Sequence, residues 1–252
     1  MSKILGIAES GFGKSTSLMK DADYGIEGLD PKVSYIISAT SKDLPGKGSN
    51  KLYPVYPNFN DKTTAAQLAN YRRIVTNNAA LVAHAINLLG TTPIQNIVFD
   101  DSNYVMQDYY MEKALSTGWD TPKKIGFDMG RIFQAMERLP LNKNFIMLAH
   151  GEEYDKADGR KGYRMKTTGK MVQEYITPEG KFDVVLIGKS SYDEANHKVM
   201  KQFVTNDDGV YSSAKSHKIF DSLYIPNDMG LVVRKCNEYY NEIDVEPIIT
   251  QE

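Results

Sequence analysis

A chain of 252 residues, 41% hydrophobic and 25% charged, has the make-up of an ordinary globule and excludes a disordered or fibrous one. Its net charge of -2 supplies no global basic field, so a nucleic-acid partner would need basic groups concentrated locally. Cys236 is the single cysteine, which excludes an internal disulfide and a thiolate metal cluster, and His84, His150, His197 and His217 lack metal-ligand spacing.

Met1, Ser2 and Lys3 carry no signal-peptide pattern, and no run approaches the roughly 20 apolar residues of a membrane span. An intracellular protein with no membrane partner is therefore expected. Lys3–Ala8 (KILGIA) is a short apolar run that reads as a buried strand. Residues 14–20 follow as a helix, and 33–38 (VSYIIS) as a second, β-branched strand. A loop rich in Gly, Ser and Lys covers 39–50. Apolar residues at helical spacing, among them Leu68, Ile74, Val82, Ile86 and Leu89, predict one long amphipathic helix over 64–89. Pro93 breaks the chain before a buried strand over 94–100. Helical patterns return over 103–116 and 122–139, and NFIMLA over 144–149 is a fourth central strand. Short strands are expected over 184–187 and 199–204, and the end from Pro226 reads as irregular.

Strands alternating with helices imply an α/β fold with a mostly parallel central sheet, helices on both faces and β-rich C-terminal additions. The chain reads as a single domain over 1–252, with an irregular extension from about 226 to 252.

Residues 8–15 read AESGFGKS between the first strand and the expected helix. They match the phosphate-loop pattern GxxxxGK[ST], except that Ala8 stands where the first glycine would be. Gly11 and Gly13 permit backbone conformations that aim successive N–H groups at phosphate oxygens, and a following helix would add its positive end. Lys14 is expected to reach the β- and γ-phosphates, and the Ser15 hydroxyl to ligate magnesium. The cradle is assigned to Glu9, Ser10, Gly11, Phe12, Gly13, Lys14, Ser15 and Thr16, with ATP and Mg2+ as its ligands. Glu9 can orient water or be a simple exposed loop residue.

Such a loop needs a carboxylate at the end of a neighbouring strand to organise magnesium. IVFDD over 97–101 provides it, at the carboxyl edge where open α/β sheets bind their ligands. Asp100 is the expected magnesium-side residue, directly or through water. Asp101 is expected to polarise the attacking water or to fix its neighbours, unless it merely caps the next helix. The strand over 144–149 ends in His150 and should lie beside Asp100, where a polar group can sense the γ-phosphate and signal to the loop behind it. A structural histidine is the plain alternative.

That loop, 156–170, carries six basic side chains against one acidic, with Tyr154 and Tyr163 interleaved and three glycines expected to keep it mobile. Basic groups track a phosphate backbone while aromatics stack on bases, so Arg160, Lys161, Tyr163, Arg164 and Lys166 are candidate contacts to single-stranded nucleic acid. A solvated charged loop, or a kinase-like lid that clamps phosphates, has the same composition.

At these residues the chain resembles phage-encoded RecA-like P-loop ATPases, a group related to phage single-strand annealing recombinases. The resemblance spans most of the chain: AESGFGKST at 8, VFDDSNYVM at 98, LAHGEE at 148, KTTGKMV at 166, FDVVLIG at 182, FVTND at 203, AKS at 214 and IPND at 225. It implies a RecA-like core, ATP with magnesium, homo-oligomer assembly, and work on single-stranded DNA in phage recombination or replication, by annealing or strand exchange. It further implies Lys170 or Lys215 as a finger reaching a neighbouring subunit's phosphate, a single-strand-binding protein as partner, and the cytoplasm of an infected host. Ala8 departs from the family's loop glycine. Competing expectations are a small-molecule kinase with 156–170 as its lid, a helicase or packaging motor, and a nucleotide-held scaffold without rapid turnover.

Overall fold

The computed structural model describes residues 2–115, 120–157, 159, 161–194 and 197–241. In chain order its elements are β1 (Lys3–Ala8), β2 (Ser34–Ser38), α1 (Ser49–Leu52), α2 (Ala65–Leu68), β3 (Arg73–Val75), α3 (Ala79–Gly90), β4 (Asn96–Asp100), α4 (Asn103–Glu112) and α5 (Asp120–Glu137). Then follow β5 (Asn144–Asp155), β6 (Lys161–Met165), β7 (Val184–Asp193), β8 (Lys198–Val204), β9 (Tyr224–Pro226) and α6 (Met229–Asn241).

The strands form one sheet in the order β3-β2-β4-β5-β1-β7-β8-β9, with β6 paired to the far end of β5. All pairs from β3 to β7 along this path are parallel, while β8 and β9 add antiparallel. This is the mostly parallel α/β sheet with β additions that the alternating pattern implies. Successive side chains of a strand point to opposite faces. On one face Leu5, Ile7, Phe99 and Met147 pack with α3 and α5; on the other Ile4, Val98, Ile146 and Leu148 pack with α6. Cys236 lies buried in this second layer, its thiol pushed up to about 11 by burial. No described helix is long and apolar enough to cross a membrane.

Three elements depart from expectation. The single helix over 64–89 is instead α2, β3 and α3. Asn78 accepts the amides of Ala80 and Leu81 at 2.9 and 3.2 Å and so opens a new helix there, while Arg73-Ile74-Val75 is claimed by the free edge of β2. The chain end is not irregular: α6 begins two residues after Asn227, capped by Asp228 through the amides of Gly230 and Leu231. Residues 242–252 of that expected extension lie outside the described residues. The third departure is the helix over 14–20, which belongs to the site.

Candidate functional site

β1 ends at Ala8 on the carboxyl edge of the sheet, and residues 9–15 turn over that edge with Gly11 and Gly13 at φ +80 and +97. Only glycine holds such angles without cost. Among the hydrogen bonds of the described residues, the amides of Gly11, Gly13, Lys14 and Ser15 have no acceptor. A run of free N–H groups of this kind is an anion cradle. Glu9, Ser10 and Gly11 are exposed on its crest, whereas the Phe12 ring turns into the core and packs 5.6 Å from Phe203.

The helix expected next is a single 3-10 turn, Thr16–Leu18. Met19 is already extended, and the chain doubles back so that the Leu29 amide reaches the Leu18 carbonyl at 2.9 Å. The turn formers Asp21, Asp23, Gly25 and Gly28 leave too short a run for helix to propagate. The cradle therefore has backbone amides and a lysine but no helix end behind it.

Lys14 is 6% exposed, and its ammonium donates to the Ala8 and Glu9 carbonyls at 3.2 and 3.0 Å and to Nδ1 of His150 at 3.2 Å. Burial lowers its pKa, against the attraction of Asp101 and Asp100. An ammonium only donates, so His150 accepts at Nδ1 and carries its proton on Nε2, which faces Asp101 Oδ1 at 3.7 Å. Burial and then the Lys14 charge hold His150 below its ordinary pKa, so it is neutral near pH 7.

Ser15 donates its hydroxyl to Asp100 Oδ2 at 2.8 Å, across 85 positions of sequence. Asp100 Oδ1 is buried with no partner. Burial first, and then the neighbouring Asp101 charge, push the Asp100 carboxyl up to about 6. A hydroxyl and a carboxylate with an orphaned oxygen form the oxygen donor set that suits magnesium, so the residues fit the ion.

Asp101 sits at φ +59, a left-handed conformation that aspartate tolerates better than most residues. Thr40 donates to its Oδ2 at 3.1 Å and Lys42 lies at 3.7 Å. The segment that carries Thr40 and Lys42 is held by Arg73, 3% exposed, which donates to Ser38 Oγ and to the Thr40 and Lys42 carbonyls. Thr40, Lys42 and Arg73 form no local motif, and only the placement of a charge inside an apolar β-branched triplet hints at Arg73. Asn103, buried at the start of α4, accepts the His150 amide and donates to the Lys166 carbonyl, so β4, β5 and the end of β6 are locked together.

β5 and β6 pair antiparallel as a hairpin, with register Glu152 to Arg164 and Asp155 to Lys161. Residues 161–165 of the basic segment are therefore a strand paired in a ladder, where a mobile loop is expected from the sequence. Arg164 pairs with Glu152 at 3.0 Å and lies 4.7 Å over the Tyr154 ring; Lys161 pairs with Asp155 at 2.5 Å. Tyr163 is 5% exposed and packs against Tyr211 and over Gly151, so its ring is core and offers no face to a base. Lys166 is exposed and has no ion pair among the described residues. Arg160 lies outside the described residues. Lys170 is exposed near the hairpin base, and Lys215 bonds through its backbone to Val185.

Beside Gly13 and Thr16 a cavity of about 480 Å³ opens between the loop and β8, lined by Phe12, Tyr24, Met200, Lys201 and Asn227. Lys201 and Asn227 touch the loop itself, donating to the Gly11 and Gly13 carbonyls at 2.7 and 3.0 Å. Asn227 belongs to the IPND motif, but nothing in its local sequence pointed at residue 13.

No protein-family model matches the chain, and no curated protein matches it. Among solved structures it is similar to the crystal structure of a KaiC-like protein from the hyperthermophilic archaeon Pyrococcus horikoshii OT3. The two are 11% identical with a TM-score of 0.38, over 81% of this chain and 77% of that one.

Proposed function

We propose that this chain is a magnesium-dependent ATPase that uses its turnover to act on single-stranded DNA, in the manner of the phage recombination ATPases it resembles. The observation that carries the ATPase reading is the convergence, at one sheet edge, of free loop amides, a lysine resting on carbonyls, and an orphaned carboxylate oxygen beside a serine hydroxyl.

Bound magnesium would be held by Ser15 and Asp100, and would neutralise charge on the β- and γ-phosphates. The loop amides bind the phosphate oxygens, and Lys14 exchanges its carbonyl partners for the terminal phosphate. Water attacks the terminal phosphorus, its proton passes toward Asp101, and the bond to the bridging oxygen breaks to leave ADP. Thr40 and Lys42 orient the Asp101 carboxylate for that step. His150 touches Lys14 directly, so a change of Lys14 partner is felt at the root of the hairpin through Asn103. The 480 Å³ cavity beside Thr16 has room for the rest of the nucleotide.

The DNA partner is supported by exposed Lys166 and by Arg164 stacked on Tyr154 at the hairpin face. Self-assembly, the Lys170 or Lys215 finger, a single-strand-binding partner and a cytoplasmic phage setting belong to the same proposal. The deciding experiment is magnesium-dependent ATP hydrolysis with and without single-stranded DNA, at low and moderate salt. Stimulation by single strands is the expected result. Slow hydrolysis indifferent to DNA would instead favour the nucleotide-held scaffold, and phosphoryl transfer to a small acceptor would favour the kinase.

A further inference from the structure

The phosphate loop is followed by a single 3-10 turn in place of a full helix. That turn reaches the Gly13 carbonyl through the Ser17 amide at 3.1 Å, and the Gly11 and Gly13 carbonyls are gripped from the far end of the chain as well. A peptide unit is planar and trans, so its C=O and the N–H of the next residue point in opposite directions. Asn227 Nδ2 holds the Gly13 carbonyl and thereby sets the direction of the Lys14 amide. Lys201 Nζ holds the Gly11 carbonyl and so fixes the peptide whose other end, the Phe12 amide, donates to the Glu9 carbonyl at 3.4 Å, which shapes the crest of the loop. The two grips form one unit, because the Asn227 amide donates to the Lys201 carbonyl at 3.3 Å. Phe203, on the same strand as Lys201, pins the Phe12 ring between the two gripped glycines. Next in line, Asp228 takes the amides of Glu27 and Gly28 at 2.6 and 3.1 Å, closing the segment that returns from the aborted helix. Asn227 is 7% exposed, so its donor is committed to this contact rather than shared with bulk water.

We propose that Asn227 and Lys201 are positioning residues of the phosphate cradle, which supplement the short 3-10 turn by holding the Gly11 and Gly13 carbonyls, so that the loop keeps its shape and the Lys14 amide faces a triphosphate. The inference rests on the reading of residues 8–15 as a phosphate loop. It makes anion binding at the end of β1 depend on β8 and on the IPND segment, whose Lys201 and Asn227 lie 190 and 214 positions along the sequence from the carbonyls they hold.

The test uses the full chain and two readouts. Asn227→Asp keeps the side-chain shape and replaces the donor by an acceptor. Lys201→Met removes the ammonium and keeps the stem, and Lys201→Arg restores a donor. Amide hydrogen exchange over residues 9–16 is measured without nucleotide, and calorimetry measures binding of inorganic tripolyphosphate with magnesium. In Asn227→Asp, exchange over 9–16 is expected to quicken about tenfold and tripolyphosphate to bind about tenfold more weakly, with a Tm lowered by the burial of the new carboxylate. Lys201→Met is expected to lose about threefold in binding, and Lys201→Arg to recover it. Unchanged exchange and binding in both Asn227→Asp and Lys201→Met would overturn the proposal, as would a lowered Tm with unchanged exchange over 9–16. A wild-type chain that binds no tripolyphosphate sinks the phosphate-loop reading instead, while the exchange result still decides whether the clamp holds the loop.

Discussion

Two regions of this molecule carry the charges that draw notice in its sequence, and they use them differently. At the carboxyl edge of β1, β4 and β5 the charged groups are buried and underpartnered: Lys14 rests on carbonyls, and Asp100 keeps a bare oxygen. In the β5–β6 hairpin Lys161 is exposed and Arg164 half-buried, and both are answered across the ladder, by Asp155 and Glu152. A buried group without its partner is costly, and a fold retains it where a ligand completes it. An exposed pair within its own ladder is worth little either way. Unfinished pairing, more than charge density, therefore separates a site from a decorated surface.

The sharpest way to break that comparison is Lys14→Ala. Removing the charge meant for the terminal phosphate is expected to lower magnesium-dependent ATP hydrolysis by about a hundredfold to a thousandfold. Hydrolysis at the wild-type rate would show that the converging groups are not a nucleotide site. Asp100→Asn tests the same region through stability. Burial and the Asp101 charge push the Asp100 carboxyl up to about 6 in the folded chain, above its unfolded value, so the native state binds the extra proton between roughly pH 4 and 6. Stability from this group falls as pH rises through that window, and above about pH 6 the charged form is a burden. Asp100→Asn is thus expected to raise unfolding free energy at pH 7 by about 2 kcal/mol and to flatten its pH dependence. Urea unfolding at pH 5 and pH 7 reads both. Magnesium should stabilise the wild type at pH 7 and leave the variant unmoved; a variant less stable than wild type would remove the idea of an unfinished carboxylate.

How much of this was legible in the residues follows the same division between local and distant causes. β1, β4 and β5 are apolar runs whose strand character is written in consecutive residues, and the Ser15–Asp100 contact follows from a motif at each end. The misreadings arose where a distant element won. Leu68 and Ile74 fit a helical period, but the open edge of β2 recruited Arg73, Ile74 and Val75, and Asn78 restarted the helix. The brace on the phosphate loop was invisible because Lys201 and Asn227 sit 190 and 214 positions from the carbonyls they hold. In the hairpin, composition counted six basic groups without showing which carboxylates would face them.

The smallest effect is also the one that sharpens the contrast within the hairpin. A single-stranded phosphate backbone gains from a free cation, whereas a paired one must first give up its own carboxylate. Lys166→Ala is therefore expected to weaken single-stranded DNA binding and to reduce the slope of log affinity against log salt by about 0.7, the value for one phosphate contact. Lys161→Ala should change the slope by less, because the Lys161 ammonium is engaged by Asp155. A salt titration of each variant beside the wild type makes the comparison. Equal losses would mean that the ladder's ion pairs open when DNA arrives, and the hairpin would then be as unfinished as the proposed nucleotide site. No loss from either would move the DNA contact away from the described hairpin altogether.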